Sequence, residues 1–224
     1  MIGMLSKVSA SLFPEIDSGF MANLVLTMPA VDVSPVPNSY SDVAREVLKA
    51  HEEVERESPP LPGERYQGKV PVYIDDTRAY AGVTEFGPVY RNRKLGVEAK
   101  RMGISRHVPL DKVKRVAKHE LRHVQAEKLV EYADVPEHLT RLVVEAYAEF
   151  DGIMHGSKDE AREIEHTTPY PQVVKFARYV HDCYRSERTG KPGFRAFVED
   201  VIKYESMHAA LENLGRNIKK RMIN

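Results

Sequence analysis

The chain has 224 residues, 42% of them apolar, and its 33 basic and 33 acidic side chains cancel at neutral pH. That length buries one sizeable core, or a catalytic core with helical additions, and the balanced charge leaves no basic footprint for nucleic acid. A single cysteine, Cys183, excludes an internal disulfide framework and suits a reducing cytoplasm; with His181 nearby it reads as an apolar packing residue rather than a ligand or nucleophile. Asn and Gln are scarce beside Lys, Arg and Glu, the balance associated with heat-adapted proteins, so a thermophilic source is expected.

Residues 20–31 are apolar but too short to cross a bilayer, and Glu15 and Asp17 precede them where a signal peptide would carry positive charge. Neither membrane insertion nor secretion is therefore expected. Residues 33–38, with Pro35 and Pro37, form a linker, and Ser41-Asp42 starts an amphipathic helix that runs through about Glu57 on Val43, Val47 and Leu48. Pro59, Pro60, Pro62 and Gly63 make a second break. Residues 1–63 thus form an N-terminal extension, whose first 38 residues are expected to pack against the core or cover its cleft. Next, Lys69 to Ile74 has strand composition, Asp75-Asp76 ends it, and Tyr80 to Pro88 is further extended structure with Gly and Pro punctuation. Val89 to Arg93 and Ile104 to Val108 add short strands. Together they predict a small, mostly antiparallel sheet, of which an exposed edge could hold a peptide by strand addition.

A helix comes next. Pro109 suits its first turn, Asp111 its positive start, and Val113, Val116, Ala117, Leu121 and Val124 recur at helical spacing. On it lies His119-Glu120-Leu121-Arg122-His123. Residues i and i+4 stand about 5–6 Å apart at Cβ, so both imidazoles can reach one tetrahedral Zn²⁺ at about 2.0–2.1 Å per bond. Glu120 sits beside that ion without ligating it, where a carboxylate can take the proton of an attacking water.

After a short break at residues 132–136 comes a second helix, with Pro136 in its first turn and Leu139, Leu142, Val143, Ala146, Phe150 and Ile153 as its apolar stripe. If the two helices fold back on each other, His123 and Glu145 are nearly equidistant from the turn, at about 1.5 Å of rise per residue. Glu145 then comes level with His123 as a third ligand. Glu149, one turn on, comes level with His119, where it can accept the proton on the other ring nitrogen and set the tautomer.

His119-Glu120-x-x-His123, followed by Glu145-Ala146-Tyr147-Ala148-Glu149, resembles the gluzincin metallopeptidases, whose thermolysin-like members carry HExxH and then Glu-x-x-x-Asp on a second helix. Glu149 stands where that pattern has Asp, keeping the acceptor on a longer arm. The resemblance covers about residues 70–153, and its size is similar to the small single-domain gluzincins sometimes called minigluzincins. It implies an α+β catalytic core at residues 64–158, one Zn²⁺ per chain and a peptide or protein substrate. His119, His123 and Glu145 would hold the metal, with Glu120 as the base. Such chemistry also calls for a donor to the developing oxyanion, with His155 and Tyr170 as candidates and His166 nearby; Tyr147 should point elsewhere on its helix.

Residues 159–224 are expected to be helical packing on that core, with one helix from Gln172 to Arg185 and another from Phe194 to about Arg221. The basic cluster Arg216, Lys219, Lys220 and Arg221 suits a helix C-terminus. Two other readings stay open. Glu120-x-x-His123, Glu163-x-x-His166 and Glu205-x-x-His208 are also the Glu-x-x-His elements of ferritin-like di-iron bundles, although the strand-like stretch before Pro109 argues against a bundle. Alternatively the metal is structural and the helical third a non-catalytic interaction surface, against which the open three-ligand site argues.

Overall fold

A computed structural model describes residues 24–30, 33–57, 70–91, 94–155, 162, 164, 172–184 and 193–223. In chain order its elements are β1 (Val25–Pro29), α1 (Tyr40–Glu57), β2 (Val72–Asp75), β3 (Tyr80–Arg91), β4 (Lys94–Ser105), α2 (Leu110–Gln125), α3 (Glu127–Glu131), α4 (Glu137–His155), α5 (Val173–Tyr184), α6 (Gly193–Tyr204) and α7 (Met207–Ile223). This is an α+β fold, with the sheet first and the helices gathered towards the C-terminus.

The short strands expected between residues 80 and 108 merge into two strands of 12 residues each, β3 and β4, paired antiparallel from Gly82↔Ile104 to Arg91↔Lys94 with a bulge between Glu85 and Phe86. Gly82, Gly87 and Pro88 thus lie inside a strand instead of punctuating turns. The strand order is β1-β3-β4-β2, with β2 parallel to β4 and β1 antiparallel to β3. β1 covers β3 only from Tyr80 to Glu85, and it comes from the segment that the sequence assigns to the N-terminal extension.

Met102 and Ile104 stand opposite Thr84 and Gly82, so these four side-chain positions share one sheet face. Helices cover that face. α1 buries Val43, Val47, Ala50 and Val54, spaced along one helical stripe, against Val113, Val116, Ala117 and Leu121 of α2 and the two sheet residues. Each fully buried valine of such a stripe contributes about 1.5–3 kcal/mol relative to exposure. α1 begins one residue before the predicted start because Ser39 caps it: Ser39 Oγ accepts from Asp42 N at 3.1 Å and donates to Asp42 Oδ2 at 2.6 Å.

The larger core cluster joins Leu24, Leu26 and Phe86 of the sheet region to Leu129 and Val130 of α3, Val143, Val144 and Phe150 of α4, and the inner faces of α5 to α7. Here the structure corrects the expected single helix from Phe194 to Arg221. α6 stops at Tyr204, Glu205 takes a left-handed φ of 48°, and α7 restarts at Met207. No Gly or Pro marks the break. It is held by Met207 N donating to Tyr132 O at 2.9 Å, and by Asp134 accepting from His208 N at 2.8 Å and Ser206 Oγ at 2.5 Å. Those bonds offset the about 1–3 kcal/mol that such a backbone conformation costs a non-glycine residue. Among the described residues no helix is long and apolar enough to cross a membrane.

Candidate metal centre

α2 and α4 lie side by side, and the helical period brings His119, His123 and Glu145 into one buried group that could hold a metal ion. The two Nε2 atoms are 2.8 Å apart, with ring planes at 87° and centroids 4.4 Å apart. Glu145 spans them: Oε2 is 3.4 Å from His119 Nε2 and Oε1 is 3.6 Å from His123 Nε2. One turn further along α4, Glu149 Oε1 lies 2.8 Å from His119 Nδ1, on the side of the ring away from the cluster. His123 Nδ1 has no hydrogen-bond partner among the described residues.

The sheet contributes as well. Glu120, wholly buried, projects from α2 towards β3, where Thr84 Oγ1 donates to its Oε2 at 2.7 Å. Its Oε1 has no partner among the described residues. Gly82 makes the room: a Cβ built there would stand 2.6 Å from Glu120 Oε1, 2.7 Å from its Cγ and 2.8 Å from Val116 Cγ1. Only glycine lets the helix approach the strand so closely.

The electrostatics of the group are lopsided. Glu120, Glu145 and Glu149 are 0%, 3% and 8% exposed, and Arg115 is a cation that acts on Glu149 from outside the histidine pair. Burial pushes the Glu120 carboxyl up to about 8, against the lowering pull of His119 and the Thr84 hydroxyl. For His119, burial opposes the imidazolium, but the Glu149 and Glu145 carboxylates outweigh it and hold the ring's pKa well above the usual value. Burial and the neighbouring His119 depress His123. Glu149 stays low despite burial, because His119 and Arg115 face it. Two imidazoles and three carboxylates thus share one buried group, a donor set that a divalent cation could enter.

Of the residues singled out in the sequence, the structure gathers His119, Glu120, His123, Glu145 and Glu149. Tyr147 turns away and packs against Phe194, with ring centroids 5.8 Å apart. His155 ends α4, and the placement of its side chain lies outside the description, as do Tyr170, His166 and Glu163 altogether. The third Glu-x-x-His element straddles the break between α6 and α7, and its His208 docks by its backbone at Asp134, in the α3–α4 turn rather than at the cluster. Sequence reasoning missed Gly82 and Thr84. Their signal was a glycine inside an alternating strand, two positions before a threonine on the apolar face.

Comparison with protein-family models, with curated proteins and with solved structures gives no match to this chain.

Proposed function

We propose that the protein is a zinc-dependent metallopeptidase of gluzincin type. The observation that carries the reading is Glu120: a buried carboxylate next to three side chains that could hold a metal ion, one oxygen held by Thr84 and the other without a partner among the described residues. A structural metal site has no use for such a group. The donor set fits zinc. One donor atom from each of His119, His123 and Glu145 lies within 4.8 Å of the other two, and the two imidazole nitrogens stand 2.8 Å apart, against about 3.3 Å between donors in a tetrahedral site with bonds of about 2.0–2.1 Å. Two imidazoles and one carboxylate would supply three ligands, the number that catalytic zinc sites take from the protein.

His119, His123 and Glu145 would hold the ion, and Glu149 would orient His119 through Nδ1. Bound zinc supplies Lewis acidity towards a carbonyl oxygen and a water. Glu120 would take the proton of a water at Oε1 as the water oxygen attacks the carbonyl carbon, and would return that proton to the amine nitrogen as the C–N bond breaks. Thr84 fixes the carboxylate in place meanwhile. The single cysteine is in keeping with work in a reducing cytoplasm.

The test is elemental analysis of the purified chain beside Glu145→Ala and Glu120→Gln. The expected result is about one zinc per wild-type chain, lost in Glu145→Ala and kept in Glu120→Gln, with hydrolysis of a peptide lower by about 10²–10⁴ in the latter. No metal in the wild type after incubation with zinc, or two iron atoms per chain, would overturn the reading.

A further inference from the structure

Among the described residues, the outer edge of β3 beside Thr84 is covered by the chain itself. β1 pairs with β3 in the register Leu26↔Thr84, and Leu24 O accepts from Phe86 N at 2.8 Å. In an antiparallel ladder backbone groups alternate sides, so Leu24 and Leu26 turn theirs to β3 while Val25 and Thr27 turn theirs outward. On that outward side Arg141 Nη1 of α4 donates to Val25 O at 2.7 Å. Arg141 precedes Glu145 by one helical turn. β1 thus lies between the strand that steadies Glu120 and the Arg141 side chain of the helix that carries Glu145.

The side chains keep to the same division. Leu24 and Leu26, 1% and 0% exposed, lie on the Thr84 face and join the cluster that contains Val143 and Ala146 of α4. Val25 and Thr27 face solvent. No residue of the metal centre is more than 8% exposed. The strand is short at 5 residues, and the segment after it is tethered elsewhere: Ser34 N donates to His107 O at 2.8 Å, and Asn38 Nδ2 donates to Val108 O at 2.6 Å. If β1 left, these bonds would keep the chain beyond it docked, so the opening would be local rather than an unfolding of the sheet.

We propose that β1 is a resident competitor on the outer edge of β3, and that an extended peptide with aliphatic side chains at alternate positions displaces it to reach the metal centre. The proposal rests on the peptidase reading for the fate of the peptide, but not for the exchange of strands. Main-chain pairing would supply affinity, and the two sites now filled by Leu24 and Leu26 would supply selectivity. Residues of the peptide at the Val25 and Thr27 positions would be unconstrained.

The experiment uses the full chain with Thr27→Cys and Val83→Cys, in a Cys183→Ser background. Thr27 and Val83 are directly opposite in a non-hydrogen-bonded pair, whose Cα spacing of about 4.5–5.5 Å accepts a disulfide. Hydrogen exchange is read at the Phe86 amide, which points at β1, against amides bonded between β3 and β4. The reduced protein should exchange Phe86 at least about tenfold faster than those reference amides, and oxidation should remove the difference. The reduced protein should also bind a labelled peptide Asn-Leu-Val-Leu-Thr-Met-Pro, which the oxidised protein should refuse, and with zinc added should hydrolyse a peptide only when reduced. Equal exchange at Phe86 and the reference amides in the reduced state would overturn the proposal, and so would equal peptide binding or hydrolysis in both states. A redox-dependent exchange and peptide binding with no hydrolysis in either state would uphold the strand exchange and remove the peptidase reading.

Discussion

On the outer face of β3, Tyr80 donates to Asp75, Tyr73 donates to Glu85 at 3.2 Å, and Arg101 both pairs with Glu85 at 2.8 Å and lies over the Tyr73 ring. On the inner face, Thr84 and Gly82 meet Glu120 beside the histidine pair and two more carboxylates. Both clusters gather acidic groups at one strand, yet the outer one contains its own donors and cation, whereas the inner one leaves a carboxylate oxygen and an imidazole nitrogen without partners among the described residues. The outer cluster is satisfied by its own residues. The inner one holds the His119, His123 and Glu145 group that could bind a metal ion, which is what makes it the candidate site.

Zinc should separate the two faces most sharply. At a thousandfold excess over its dissociation constant, an ion that binds only the folded state stabilises by about 4 kcal/mol. Thermal unfolding with and without zinc should show that shift in the wild type and in Glu85→Gln, and lose it in His123→Ala. A wild type whose midpoint ignores zinc would break the comparison.

Gly82→Ala comes next. Its methyl would collide with both Glu120 and Val116, so overpacking should cost about 1–3 kcal/mol in urea unfolding and displace the carboxylate, lowering hydrolysis while zinc content persists. Gly87→Ala is the control, because its methyl would meet only the Lys100 side chain, at 3.0 Å. Similar losses in the two variants would count against a special fit at Gly82.

Tyr80→Phe should have a smaller effect, about 1 kcal/mol for one hydrogen bond, with zinc binding unchanged by titration. Burial and the Asp75 carboxylate hold the Tyr80 hydroxyl well above its ordinary pKa. The folded state therefore keeps a proton that the unfolded chain gives up, and the stability gained is present below about pH 10 and lost as pH rises above it. That alkaline slope should flatten in Tyr80→Phe, and an unchanged slope would assign it to another group.

The part of the inner site that helices build was legible in the sequence, because it depends on local geometry. The i, i+4 spacing put His119 and His123 on one face, and counting rise on either side of a turn brought Glu145 to the pair and Glu149 to His119 Nδ1. The strand contribution was not legible. Thr84 and Glu120 are 36 residues apart, and their meeting depends on how the sheet sits against α2, which no periodicity encodes. The same holds for the break at Glu205, where α6 and α7 part because Tyr132 and Asp134 bind the backbone between them. In the sequence β1 is only an apolar stretch of no definite structure, since its pairing partner lies beyond α1 and β2 in the chain.

β1 also decides how this sheet meets other molecules of its kind. A bare strand edge is a template for intermolecular pairing and aggregation, and β3 is 12 residues long. Its far half is blunted by Pro88, which has no N–H to offer, but its near half, Tyr80 to Glu85, is shielded by β1 alone among the described residues. Any state in which β1 has left and nothing has replaced it should therefore be the sticky one, and reduced protein held at high concentration without peptide should be the first to form oligomers.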